Sequence, residues 1–152
     1  MLFSPMTLGE LELPNRLVMA PLTRLRSGQE GIPGPLVAEH YRQRASLGLI
    51  VSEGTYPSPA GRSYPGQPGI VTPDQIAGWK KVTDAVHAEG GRIFAQIMHG
   101  GRVSHEDITG GHQVVAPVVE TPPKIVKGKD QIYLTLLIRI STLFMLFGMM
   151  YV

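Results

Sequence analysis

The sequence predicts an α/β fold built on a parallel sheet. Three observations carry that expectation. Short apolar runs fall at 17–20, 49–52 and 93–97, stretches of helical periodicity separate them, and each run ends in polar or small residues. Alternating β and α elements imply parallel strands joined by right-handed crossovers. In such folds the chemistry collects at the carboxyl ends of the strands, where the βα loops lie. Here those ends are RLVMAPLTR at 16–24, VSEGT at 51–55 and FAQIMHGGR at 94–102.

The elements follow in order. Leu8 to Leu13, turning about Gly9-Glu10, reads as a small hairpin ahead of the first core strand. Leu17 to Ala20 is a continuous apolar run, the pattern of a strand buried on both faces. Glycines and prolines make 27–35 a loop, and Pro35 suits the first position of a helix. Leu36, Val37, Tyr41 and Ala45 then form its expected inward stripe, and Gly48 its C′ stop. Leu49 to Ser52 is the second strand. The stretch 54–71, rich in Gly, Pro and Ser, is longer than an ordinary βα connection. Thr72-Pro73-Asp74-Gln75 is a strong helix start, with a threonine cap, proline at N1 and glutamine at N3. Ile76, Trp79, Val82 and Val86 recur at helical spacing until Gly90-Gly91. Ile93 to Ile97 is the third strand.

Composition narrows the function classes. The 152 residues are 43% apolar and 17% charged, which suits one globular domain with a sizeable core. The net charge is +2 and the sequence pI about 9.0, but the basic residues are scattered. A nucleic-acid partner would call for a basic face with groove-reading or aromatic elements, and neither is evident. With no cysteine there is no disulfide framework and no thiolate metal site, which is compatible with the cytoplasm. The start, MLFSPMTLGE, lacks the basic and long apolar regions of a signal peptide.

Two architectures fit the alternation, the doubly wound sheet and the closed barrel. A doubly wound dinucleotide fold predicts GxGxxG after its first strand, yet Pro21-Leu22-Thr23-Arg24 stands there. Neither GxGxxG nor GxxxxGK[ST] occurs anywhere. A barrel instead asks that the polar strand ends converge above it, which Thr23, Glu53-Gly54 and Gln96-His99 can do.

These residues carry a resemblance. MAPLTR at 19–24, EHYRQRAS at 39–46, LIVSEGT at 49–55, PGI at 68–70, the run QIAGWKKVTDAVHAEGGRIFAQIMHGGRVSH at 75–105 and VAPV at 115–118 resemble the N-terminal part of the old yellow enzyme family. The likeness covers roughly residues 2–118. It implies a (β/α)8 TIM barrel, with this chain truncated to about its first three β/α units, since a whole barrel takes about 250 residues. It also implies FMN as cofactor, NAD(P)H as reductant and an activated alkene as substrate.

Site residues follow from the same resemblance. The backbone at Pro21-Leu22 and the hydroxyl of Thr23 are implied to contact the flavin, where a hydroxyl near the O4/N5 edge tunes its potential. Gly54 is implied to let the backbone approach the ring without a Cβ. The amide of Gln96 donates and accepts at once, matching the mixed edge of the pyrimidine ring. One departure is Met98, where many relatives have tryptophan. The family's substrate-anchoring His/His or His/Asn pair, its tyrosine acid, its flavin arginine and its phosphate loops belong to later strands. No matching stretch follows Pro117, and Tyr133 lies in an unrelated context. The resemblance therefore implies weak or absent FMN binding and no catalytic residue in this chain.

Simpler readings stand beside these. Thr23 could satisfy a strand-end backbone group, Gly54 could permit a turn, and Gln96 could be an ordinary inward polar residue. Trp79 reads as core and Arg102 as structural. His99, His105 and His112 match no helical or zinc-site spacing. Residues 1–120 form the barrel portion, 121–130 a polar basic linker, and 131–152 an apolar tail outside the resemblance. About 20 apolar residues can span a bilayer, so the tail reads either as a membrane anchor or as an artefact or gene remnant. Arg139 argues against the anchor, at roughly 2.5–3.5 kcal/mol for a central arginine. A competing function of a different class is a non-catalytic barrel fragment, membrane-associated through its apolar tail or bound to a partner, or to itself, through the open edges of its first and third strands.

Overall fold

In the computed structural model, residues 1–116 and the backbone of Gly148–Tyr151 are described. The chain opens on an antiparallel hairpin, β1 (Met6–Leu8) and β2 (Leu11–Leu13), with Leu8 opposite Leu11. Gly9 turns it at φ +61°, a conformation that costs a residue without a Cβ little.

Three parallel strands follow. They are β3 (Val18–Met19), β4 (Leu49–Val51) and β5 (Ile93–Ile97). Helices α1 (Pro35–Arg42) and α2 (Pro73–Ala88) make the two crossovers. The register sets Met19 beside Ile50, Ile50 beside Ile93, and Val51 beside Phe94. Both helices pack on one face of this sheet. Val37, Tyr41 and Ala45 meet Trp79, Val82 and Val86 above Ile50 and Ile93, and together they form the buried core. Trp79 also donates its indole N–H to the carbonyl of Gly69 at 3.1 Å, so it fastens the long loop onto α2.

Helix α2 begins as its sequence predicts. Thr72 caps it, and Gln75 returns the bond in a full capping box. Gln75 does more than cap. Its carbonyl accepts from Val71 and Thr72, and its amide donates to the Glu30 carbonyl and to the Tyr56 hydroxyl, each at 2.8 Å. One side chain thus joins the helix start to both loops above the sheet.

Three expectations need correction. Helix α1 ends at Arg42 rather than running to Gly48, and turns fill the interval. Leu36, expected in the inward stripe, is 82% exposed, because the core touches α1 along Val37 and Tyr41 one position on; Ile76 is likewise exposed. The first strand is not buried on both faces. Val18 is 53% exposed, since β3 is the edge of the sheet and only Met19 turns towards the helices.

The amino ends of the strands are held by Asn15. Its side-chain carbonyl accepts from the amides of Leu17 (3.1 Å) and Gly48 (2.8 Å), and its NH2 donates to the Ser46 carbonyl at 2.9 Å. The entrance to β3 is thereby tied to the turn before β4. Gly48 is required there: a Cβ would strike the Asn15 carbonyl oxygen.

A sixth strand, β6 (Gly148–Tyr151), lies antiparallel against β5, with Phe94 opposite Tyr151 and Ile97 opposite Gly148. The third parallel strand is therefore not the open edge that its sequence suggested. The backbone groups of β5 accept an antiparallel partner as readily as a parallel one. The reading of 121–130 as a linker, and most of that of 131–152 as a tail, fall outside the described residues. Among the described residues no helix is long and apolar enough to cross a membrane.

Candidate functional site

The carboxyl ends of β3, β4 and β5 are knitted together by hydrogen bonds between neighbours. Thr55 donates its N–H to the Gln96 carbonyl at 2.8 Å, and Met98 donates to the Thr55 carbonyl at 2.9 Å. The backbone N–H of Gln96 donates to the Ser52 hydroxyl at 3.1 Å. From β4 to the segment after β3 the link is Glu53. Its Oε2 accepts from the amides of Arg24 (2.8 Å) and Leu25 (3.1 Å). The 54–71 loop is pinned from above by the buried Gln67, which donates to the Gly54 carbonyl at 2.9 Å and accepts from Ser63 at 2.7 Å.

All five residues singled out by the sequence lie on this rim. Pro21, Leu22 and Thr23 are exposed on the extended segment after β3. Gly54 is buried just beyond β4. Gln96 is half-buried near the end of β5. Ile93 faces the helices, so the alternation of a strand turns Gln96 to the opposite face of the sheet. The side chains of Thr23 and Gln96 make no hydrogen bond among the described residues, which leaves a hydroxyl and an amide free for a ligand. That donor set fits the edge of a flavin ring. At Gly54 the room left by a missing Cβ is already taken, because such an atom would lie 2.8 Å from Met98 Sδ and 2.9 Å from its Cε. Glycine there accommodates Met98.

The histidines of the third loop serve the backbone. His99 Nδ1 accepts from Gly101, and His105 caps the short helix α3 (Glu106–Thr109) by accepting from Asp107.

Beneath the 20–26 segment lies an open-sided cavity of about 200 Å³, lined by Arg24, Arg26, Leu36, Val37, His40 and Glu53. Two buried atoms without a hydrogen-bond partner among the described residues belong to this lining, Glu53 Oε1 and His40 Nε2. Burial raises the Glu53 carboxyl above its ordinary pKa, against the opposing pull of the Arg24 and Leu25 amides. The neighbouring Tyr41 hydroxyl, accepting from the Glu53 N–H at 2.8 Å, is pushed up by burial as well.

His40 shifts the other way. Burial, then the charges of Arg44 and Arg24, hold its imidazole below the ordinary value. The unfolded chain binds this proton more readily, so the stability that His40 contributes is full above about pH 6.5. It is lost as the pH falls from there through the lower folded value. The urea midpoint of the wild type is therefore expected to drop more than that of His40→Gln between about pH 7.5 and pH 5.5, with a limiting slope of about 1.4 kcal/mol per pH unit. Parallel decreases in the two proteins would remove His40 from the pH response.

Comparison with known proteins now bears on this rim. The profile of the NADH:flavin oxidoreductase / NADH oxidase family matches residues 1–136. The chain belongs to this family. It is similar to the 12-oxophytodienoate reductase 7 of Oryza sativa subsp. japonica, with 51% identity over 106 residues, covering 69% of this chain and 27% of that protein. Among solved structures, morphinone reductase in complex with tetrahydroNAD superposes with a TM-score of 0.73 at 56% identity, covering 76% of this chain and 32% of that one. The old yellow enzyme homologue of Zymomonas mobilis superposes with a TM-score of 0.80 at 42% identity, over 86% of this chain and 36% of its own. The chain thus spans about a third of the length of these relatives. The family match takes in 121–130 and reaches the start of the apolar stretch. As a member of this family, the chain presents the first strands of a TIM barrel, and its rim is the carboxyl face of that barrel.

One rim residue, Gln67, escaped the sequence reading, and another, Glu53, was read only as a polar strand end. Gln67 carries no pattern that would separate it from a loop residue. Glu53 did carry a signal, a carboxylate directly after LIVS, but nothing local names its partners 28 and 29 residues earlier.

Proposed function

We propose that this chain supplies the ring-binding rim of an FMN-dependent, NAD(P)H-driven reductase of activated alkenes. The observation that carries this reading is the presence on one rim, in a member of the flavin oxidoreductase family, of a Thr23 hydroxyl after β3 and a Gln96 side-chain amide on β5, the two strands flanking β4 and neither group hydrogen-bonded among the described residues. The Pro21-Leu22 backbone and Thr23 would meet the O4/N5 edge, Gln96 the pyrimidine edge, and Gly54 with Met98 would border the ring. Bound FMN would supply hydride transfer from the nicotinamide to the alkene. The residues of this chain hold and orient the ring and bias its charge. A cytoplasmic location accords with that chemistry.

All five assigned contacts are at the ring, and none grips the phosphate. The 152-residue chain alone is therefore expected to hold FMN weakly and to show no turnover with an enone and NADPH. Dialysis followed by a visible absorption spectrum tests the first point, and anaerobic NADPH oxidation the second. Near-stoichiometric yellow flavin retained at micromolar concentration would overturn the expected weakness. A saturable FMN titration unchanged in both Thr23→Ala and Gln96→Ala would overturn the assignment of the site.

A further inference from the structure

Glu53 is the most buried charged residue of the rim, at 1% exposure. A carboxylate is costly to bury, and the end of a strand does not require one. We infer that Glu53 is a positioning residue for the flavin edge: its carboxylate fixes the backbone of the segment after β3 and so sets where Leu22 and Thr23 stand. This deepens the reading given above and rests on it for the identity of the ligand.

Four observations converge. First, two successive amides, those of Arg24 and Leu25, point at the same Oε2. Charge-assisted bonds of this kind are the strong ones. Second, Leu25 sits at φ +56°, where a residue with a Cβ is uncommon, so the segment needs something to hold it. Third, Glu53 is itself fixed at its root, because its N–H donates to the hydroxyl of Tyr41, which is anchored in the core by α1. A line of contacts therefore runs from the core through Glu53 to the segment that carries Thr23. Fourth, Oε1 has no hydrogen-bond partner among the described residues although Arg24 and Arg26 line the same cavity. The carboxylate is oriented by the two amides rather than by an ion pair.

Amide hydrogen exchange on the full chain, read by NMR, tests this without any flavin. The Arg24 and Leu25 amides are expected to exchange about tenfold or more faster in Glu53→Ala, and in Glu53→Asp, whose carboxylate falls short by one methylene. The amides of Ile50 and Ser52, bonded within the sheet to Arg92 and Phe94, should keep their wild-type rates. Glu53→Gln, whose carbonyl can accept in place of Oε2, should stay within about threefold of wild type. Should Glu53→Ala not fold, Glu53→Asp and Glu53→Gln decide the question between them. Unchanged rates at 24 and 25 in the shortened variants would overturn the inference. So would equal acceleration at Ile50 and Ser52, which would make Glu53 a general stabiliser, or a Glu53→Gln profile as fast as that of Glu53→Asp. If protection behaves as expected while a saturable FMN titration is unchanged in both Thr23→Ala and Gln96→Ala, the positioning role stands and the functional reading fails alone.

Discussion

Trp79→Ala is expected to destabilise the fold by about 3–5 kcal/mol, the range for emptying a large aromatic site in a core. Trp79 is 4% exposed and packs among Tyr41, Val82, Val86 and Ile93, with its ring centroid 6.2 Å from that of Tyr41. Alanine leaves a void between the two helices and the sheet, and it abandons the Gly69 carbonyl that the indole N–H now satisfies. A small domain has only about 5–15 kcal/mol to lose, so most of its stability is at stake. Because Trp79 is the sole tryptophan, the urea midpoint should be read by far-ultraviolet circular dichroism rather than by fluorescence. Trp79→Phe, which keeps a ring but not the donor, should lose about 1–3 kcal/mol. A shift below about 1 kcal/mol in Trp79→Ala would show that the helix pair does not depend on this contact.

Gly48→Ala should be nearly as damaging, at about 3 kcal/mol, for a different reason. The added methyl collides with the backbone oxygen of Asn15, and its next neighbours are the Asn15 carbonyl carbon at 3.0 Å and Oδ1 at 3.1 Å. Backbone cannot swing away as a flexible side chain can. To make room, Asn15 must retreat and release the amides of Leu17 and Gly48 and the Ser46 carbonyl together. Non-additivity is the sharper signature. Once Asn15→Ala has removed that network, adding Gly48→Ala should cost clearly less than it does in the wild type, a coupling that a double-mutant cycle of urea midpoints measures. Strict additivity would mean that the clash relaxes without disturbing Asn15.

Much of the fold was legible because its signals are local. Thr72, Pro73 and Gln75 define a helix start within four residues, and the pattern from Ile93 to Ile97 marks a strand of that length. The rim could be read because it sits where successive apolar runs end, and because the residues at 19–24, 49–55 and 94–99 resemble one family. What remained hidden depends on partners far along the chain. Periodicity cannot say which flank of α1 finds a neighbour, so Leu36 and Val37 look alike although only Val37 is buried. It cannot say that β3 lies at an edge, which is why Val18 is exposed. Glu53 and Gln67 act on backbone groups, and an amide or carbonyl leaves no mark in a sequence. The occupied space at Gly54 was hidden for the same reason: the glycine is visible, its neighbour Met98 is not.

The multiple duties of Gln75 bear on anyone who would re-engineer this face. Glu30 and Tyr56 belong to different loops, yet both are moored to one amide that also starts a helix. Grafting a new sequence into either loop alone would strip that amide of a partner and loosen the other loop and the helix end with it. The two loops are a single exchangeable cassette. A transplant that carries residues 27–33 and 54–75 together preserves the mooring, and one that divides them does not.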